Sequence, residues 1–177
     1  MASQNHLLLG FLVIATTVLV LATTSANATA DLNELCNDST YPTLCKSILK
    51  VGKGVTGQSD LQAVRSAIQA TWVQAKHAMV TLNKTIATTT DPAKKANLET
   101  CSELYDTAID DLATSLSNLK DKVKSDLMIN LSAVMTDFDT CTDTFREFNM
   151  ESPVGNINQL LYQLSTDSLD LAHGLNF

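Results

Sequence analysis

Apolar residues return every third or fourth position through four long stretches, the spacing that lines one face of an α-helix. The clearest stretch is NLETCSELYDTAIDDLATSLSNLKDKV, Asn97 to Val123. Leu98, Cys101, Tyr105, Ala108, Leu112, Ser115 and Leu119 form its seam. A second line, Leu104, Ile109, Leu116 and Val123, widens the apolar face enough to meet more than one neighbour. Upstream, Leu61, Val64, Ala67, Ile68, Thr71, Trp72, Ala75, Met79, Leu82 and Ile86 repeat at helical spacing over about seven turns. Downstream, Leu127, Leu131, Val134, Phe138, Cys141 and Phe145 trace a third face. Ile157, Leu160, Leu161, Leu164, Ser168, Leu171 and Leu175 trace the last.

The punctuation between these faces is polar and short. Ser59-Asp60-Leu61-Gln62 has the form of a capping box. Thr88-Thr89-Thr90 ends that helix, and Asp91-Pro92 opens the next. The run Lys120 to Ser125 and the segment Met150 to Gly155, with Pro153, supply the other two breaks. No segment sustains a two-residue alternation, so strands are not expected. The pattern predicts an all-α protein: an up-down-up-down four-helix bundle, the simplest topology for connections this short. In front of it, Asp31 to Cys36 and Tyr41-Pro42-Thr43-Leu44-Cys45 read as two short helices, with Pro42 in a first turn. Val51 to Gln58 holds three of the six glycines and reads as the linker from this hairpin to the bundle.

The first residues are of another kind. Leu7 to Leu21 is an uncharged apolar run of 15 residues, short for a membrane span. Ala26-Asn27-Ala28 follows as a small-x-small cleavage signal. We therefore read residues 1–28 as a cleaved signal peptide. Residues 29–177 are then one secreted domain, with a hairpin over 29–50 and a bundle over 59–177. All four cysteines lie beyond the cleavage point. An even count in a secreted chain is most simply two disulfides, for which three pairings exist. Eight residues separate Cys36 from Cys45, within reach of a tight local hairpin. Cys101 and Cys141 lie equally far before and after Asp121, so a chain reversal there sets them at one height on antiparallel helices.

Charge and chemistry narrow the function by exclusion. The formal net charge of −7 argues against a nucleic-acid partner, whose phosphates call for clustered Lys and Arg. His77 and His173 have no Cys, Asp or Glu at metal-ligand spacing, so neither a metal nor a cofactor is expected. There is no nucleophile elbow and no phosphate-cradling glycine loop. No catalytic residue is assigned, and an enzyme is not expected. Glu99, Glu103, Asp106 and Asp110 follow spacings of four, three and four. They share the face opposite the seam, as a solubilising surface or as a contact strip for a basic protein. Trp72 and Met79 lie in an apolar line and are read as core. Of the Asn-x-Ser/Thr sequons, Asn27 is lost or terminal after cleavage, and Asn130 falls inside a helix. Asn83 and Asn37 are the candidate glycan sites.

Taken together, these residues resemble the plant invertase and pectin methylesterase inhibitors. The likeness rests on Cys36-Asn-Asp-Ser-Thr-Tyr-Pro-Thr-Leu-Cys45, on the stretch Asn97 to Leu112, and on Leu131-Ser132-Ala133-Val134-Met135-Thr136 leading to Cys141. Asn130 departs from it, standing where many relatives carry a larger apolar residue. The resemblance implies a four-helix bundle with an N-terminal hairpin and disulfides 36–45 and 101–141. It also implies a monomeric, stoichiometric inhibitor in the apoplast or cell wall that covers a target enzyme's cleft. The invertase branch carries Pro-Lys-Phe in the loop between the two disulfide-linked helices; here Asp121-Lys122-Val123 stands there. That points to pectin methylesterase as the target, with invertase as the alternative. Two further readings are a secreted carrier of a small apolar ligand and a pro-region acting in trans.

Overall fold

The computed structural model describes residues 32–51 and 59–177. The signal-peptide reading, the Asn27 sequon and the linker over 52–58 lie outside the described residues. Six helices follow in order: α1 (Leu32–Leu35), α2 (Pro42–Val51), α3 (Asp60–Thr88), α4 (Pro92–Asp121), α5 (Lys124–Glu147) and α6 (Gly155–His173). Among the described residues there is no strand, and the fold is all-α.

The helix ends show why the chain turns where it does. The Ser59 N–H donates to Gln62 Oε1 at 3.2 Å, so α3 opens on the reciprocal side-chain contact of a capping box. α4 begins at Asp91, whose carboxylate accepts from the N–H groups of Ala93 (2.9 Å) and Lys94 (3.1 Å). Its first residue, Pro92, has no N–H to leave unpaired. α4 ends on Lys122, held at φ 59°, and the Val123 N–H returns to the Asn118 carbonyl at 3.0 Å. This is the six-to-one closure of a helix terminus that glycine usually provides. Asn149, at φ 50°, ends α5 the same way, with the Met150 N–H on the Phe145 carbonyl. Two residues, Lys122 and Val123, therefore suffice to reverse the chain. Val123 is exposed rather than part of the second apolar line, because this turn carries it off the helix.

The four long helices form a ring in which α4 packs on α3 and α5, and α6 packs on α5 and α3. Every member of the predicted α4 seam is buried, joined by Asn97. Tyr105 anchors the centre, its ring edge-on to Phe138 with centroids 5.2 Å apart. The Tyr105 hydroxyl donates to Asn158 Oδ1 at 2.9 Å. Asn158 Nδ2 in turn donates to the Phe138 carbonyl and to Thr142 Oγ1. Three helices thus share one buried polar node. Trp72 and Met79 are only half-buried at the edge of this core, and the outer face of Trp72 is covered by the Lys76 ammonium, 3.2 Å from the ring centre.

α6 differs from the amphipathic helix its apolar line predicts. Asn158, Ser165, Thr166, Asp167 and Ser168 are all buried on it. Asn158 is buried by its node with α4 and α5 and Ser168 by Thr71 of α3, whereas Asp167 is covered by the hairpin, whose α2 packs on both α3 and α6. The Cys36–Cys45 bridge, with Cα atoms 5.8 Å apart, closes that hairpin. Asp167 accepts from the Ser39 hydroxyl and from the Tyr41 N–H (3.1 Å), and Asp170 accepts from the Thr40 N–H at 2.7 Å. Burial raises the Asp167 carboxyl above the usual range; the bonds from Ser39 and Tyr41 oppose that rise, and the charge of Asp170 adds to it.

Candidate partner-binding surface

α4 carries the candidate surface. Its seam fixes the rotation of the helix, so the acidic positions face away from the core. Glu99, Glu103, Asp106 and Asp110 are all exposed. Glu99 lies 4.0 Å from Lys95 across one turn, a pair with both side chains about half open to water. Such a pair contributes a few tenths of a kcal/mol. Among the described residues, Glu103, Asp106 and Asp110 have no ion-pair partner. Their charge stays available to another molecule.

A disulfide and a tight turn join this helix to α5. Cys101 and Cys141 are joined at a Cα separation of 4.9 Å, tying α4 to α5 toward the ends away from their connecting turn. The tight turn at Lys122 ties the same helices at their end. Lys124 then reaches the C-terminal residues, its ammonium donating to the carbonyls of His173 (2.9 Å) and Leu175.

Beside the strip lies a second acidic element that its spacing did not reveal. Asp111 of α4 and Asp137 of α5 face one another closely enough for their charges to interact. Desolvation, and then the charge of Asp111, pushes Asp137 up to about 6. One Asp137 oxygen is buried without a hydrogen-bond partner. Asp111 is raised too, by its own burial and then by Asp110. A carboxyl whose folded pKa exceeds its unfolded value binds protons preferentially in the folded state. Stability is therefore full below the unfolded pKa and declines as pH rises toward 6. Asp137→Asn removes that decline. The variant should match the parent near pH 4 and exceed it near pH 7 by about 1 kcal/mol or less, since solvent screens a half-exposed group. Urea unfolding at the two pH values measures the difference.

The candidate glycan sites are both exposed. Asn83 sits on α3, its Oδ1 accepting from Ser102 of α4 at 3.4 Å. Asn37 lies between the bridged cysteines, and its sequon hydroxyl, Ser39, is buried against Asp167. His77 and His173 are exposed, and no group of three metal-ligating side chains occurs among the described residues. No described helix is long and apolar enough to cross a membrane.

Comparison with known proteins gives the arrangement a family. The model of the plant invertase/pectin methylesterase inhibitor family matches residues 30–171. A probable pectinesterase/pectinesterase inhibitor of Arabidopsis thaliana is 31% identical over 123 residues, 67% of this chain and 21% of that protein. Pectinesterase inhibitor 12 of the same plant is 37% identical over 67 residues, 38% of each chain. The chain thus spans well under half the length of these relatives. A crystal structure of a mutant form of an Arabidopsis pectin methylesterase inhibitor superimposes with a TM-score of 0.72 at 21% identity, covering 84% of this chain and 99% of that one. That likeness carries the fold. With 142 of its 177 residues inside the family match, this chain belongs to the plant invertase/pectin methylesterase inhibitor family.

Proposed function

We propose that the protein is a non-enzymatic inhibitor of pectin methylesterase. It forms a stoichiometric complex over the enzyme's active-site cleft and so regulates the methyl-esterification of wall pectin. It acts in the apoplast as a monomeric domain of residues 29–177, after removal of leader 1–28, with no cofactor, metal or membrane attachment. The observation that carries this reading is the α4 surface. Three unpaired carboxylates stand in line on a helix clamped by a disulfide, a rigid acidic face for a basic enzyme. The relatives' names, a pectinesterase inhibitor and a pectinesterase/pectinesterase inhibitor, agree with it. So does the turn after α4, whose two residues carry neither the proline nor the phenylalanine of the invertase branch.

A parallel titration against a plant pectin methylesterase and a wall invertase tests the assignment. Esterase activity should fall linearly to saturation at one equivalent while invertase is unaffected. Inhibition of invertase alone would replace the target, and inhibition of neither would favour the carrier reading. Glu103→Lys with Asp106→Lys should weaken inhibition about tenfold at low salt and flatten its salt dependence. An unchanged inhibition constant at both salt concentrations leaves the strip as a solvated face.

A further inference from the structure

The thirty residues from Leu61 to Thr90 contain no Asp or Glu, in a chain that has nineteen. Nearly all of them form α3, so one helix of an acidic protein is cationic on its outer side. At 100° per residue, Arg65, Gln69, Trp72, Lys76, Val80 and Lys84 fall within a sector of about 120°. Val80 is 69% exposed, and Val73 on the same side is 45% exposed. Trp72 lies among these cations with its indole N–H buried and unpaired.

Next to this stripe the packing of α2 on α3 and α6 leaves an open groove of about 470 Å³. Its floor is Leu44, Ile48, Leu160 and Leu164, and α3 contributes Gln69 and Gln74 to its wall. The size falls within the range of sites that hold a ligand of several rings. Gln69 belongs to both features, so groove and stripe are continuous.

We propose that this face binds a linear carboxylated polysaccharide, with uronate rings in the groove and further carboxylates along α3. Each part of the chemistry has its counterpart. Pyranose C–H faces suit an apolar floor, hydroxyls suit the carboxamides of Gln69 and Gln74, and carboxylates suit Arg65, Lys76 and Lys84. Charge complementarity selects the occupant, because a neutral glycan would leave the acid-free stripe without a role. The acidic strip of α4 lies on another helix, about a helix diameter or more away, and physiological salt screens most of its repulsion. The consequence is an inhibitor held on de-esterified pectin, the product of the enzyme that its relatives' names identify. This binding is distinct from inhibition and is measured without the enzyme.

Affinity electrophoresis and calorimetry with polygalacturonate, highly methyl-esterified pectin, dextran and a single-stranded polynucleotide test the proposal on the mature protein. Polygalacturonate should bind, more weakly as salt rises, and dextran should not. Arg65→Gln/Lys76→Gln/Lys84→Gln should reduce that affinity about tenfold or more. Ser66→Trp, which fills the groove and leaves every charge in place, should reduce it by a similar factor. Circular dichroism confirms that both variants fold, and their titration against pectin methylesterase reports inhibition separately. Three results would overturn the proposal: no binding, binding unchanged in either variant, or equal affinity for the polynucleotide.

Discussion

Replacing Asn158 by leucine should destabilise the protein by about 3 kcal/mol, although the two side chains have the same number of heavy atoms and the same branching. The substitution strands the buried Tyr105 hydroxyl and removes the Asn158 amide's bonds to the Phe138 carbonyl and to the Thr142 hydroxyl, which keeps its own bond to that carbonyl. Tyr105 is fully buried, and its burial holds the phenol's pKa well above the ordinary range. A buried donor left without a partner costs about 1–3 kcal/mol, and the other two lost bonds contribute about 1 kcal/mol or less each. Tyr105→Phe, which removes the donor itself, should cost only about 1–2 kcal/mol. Combined with Asn158→Leu it should cost less than the two singles added, since the variants then share one lost bond. Thermal unfolding followed by circular dichroism should place the Asn158→Leu midpoint about 10 °C below the parent. Additive effects would show that Tyr105 and Asn158 do not act as one unit.

That node separates what the sequence made legible from what it did not. Helix periodicity reports which side of a helix meets its neighbours, and it identified the α4 seam residue by residue. Capping signals located the starts at Ser59 and Asp91, and the polar run Lys120 to Ser125 bracketed the turn that the structure places at Lys122, because local backbone chemistry decides these positions. Asn158 was invisible because its partners lie 53 and 16 residues away in sequence, and one polar residue next to Ile157 is no departure from a helical pattern. The run Ser165-Thr166-Asp167-Ser168 gave a stronger signal, four polar residues inside an apolar helix. Its meaning depended on where the N-terminal hairpin docks, and no local pattern encodes that. The candidate surface divides the same way. Spacing found Glu99, Glu103, Asp106 and Asp110, all on one helix. It could not find Asp111 with Asp137, which come together only through packing of α4 on α5. The cationic side of α3 could be read from composition alone, but the groove beside it required three helices to be placed.

Removing the bridge between α4 and α5, with Cys101→Ala and Cys141→Ala together, should cost about 4 kcal/mol. Closing a loop of 40 residues restricts the unfolded chain by that amount in the loop-entropy model. The shorter Cys36–Cys45 loop, with a separation of 9, is worth about 2.6 kcal/mol by the same relation. The larger loss should lower the unfolding midpoint by more than 10 °C. Both sulfurs of the longer bridge are fully buried among Leu, Phe and Tyr side chains. A thiol reductant at 25 °C should therefore leave the folded protein oxidised and act only as the denaturant midpoint is approached. The α4–α5 contact does not depend on the bridge alone, because the Lys122 turn and the Tyr105–Phe138 contact join the same helices. The double-alanine protein should accordingly fold at 25 °C and retain the proposed inhibition of pectin methylesterase with little change, while unfolding at a lower urea concentration. If it instead stays folded but loses inhibition, the bridge shapes the contact surface directly, and the α4 strip needs its fixed distance from α5 to work.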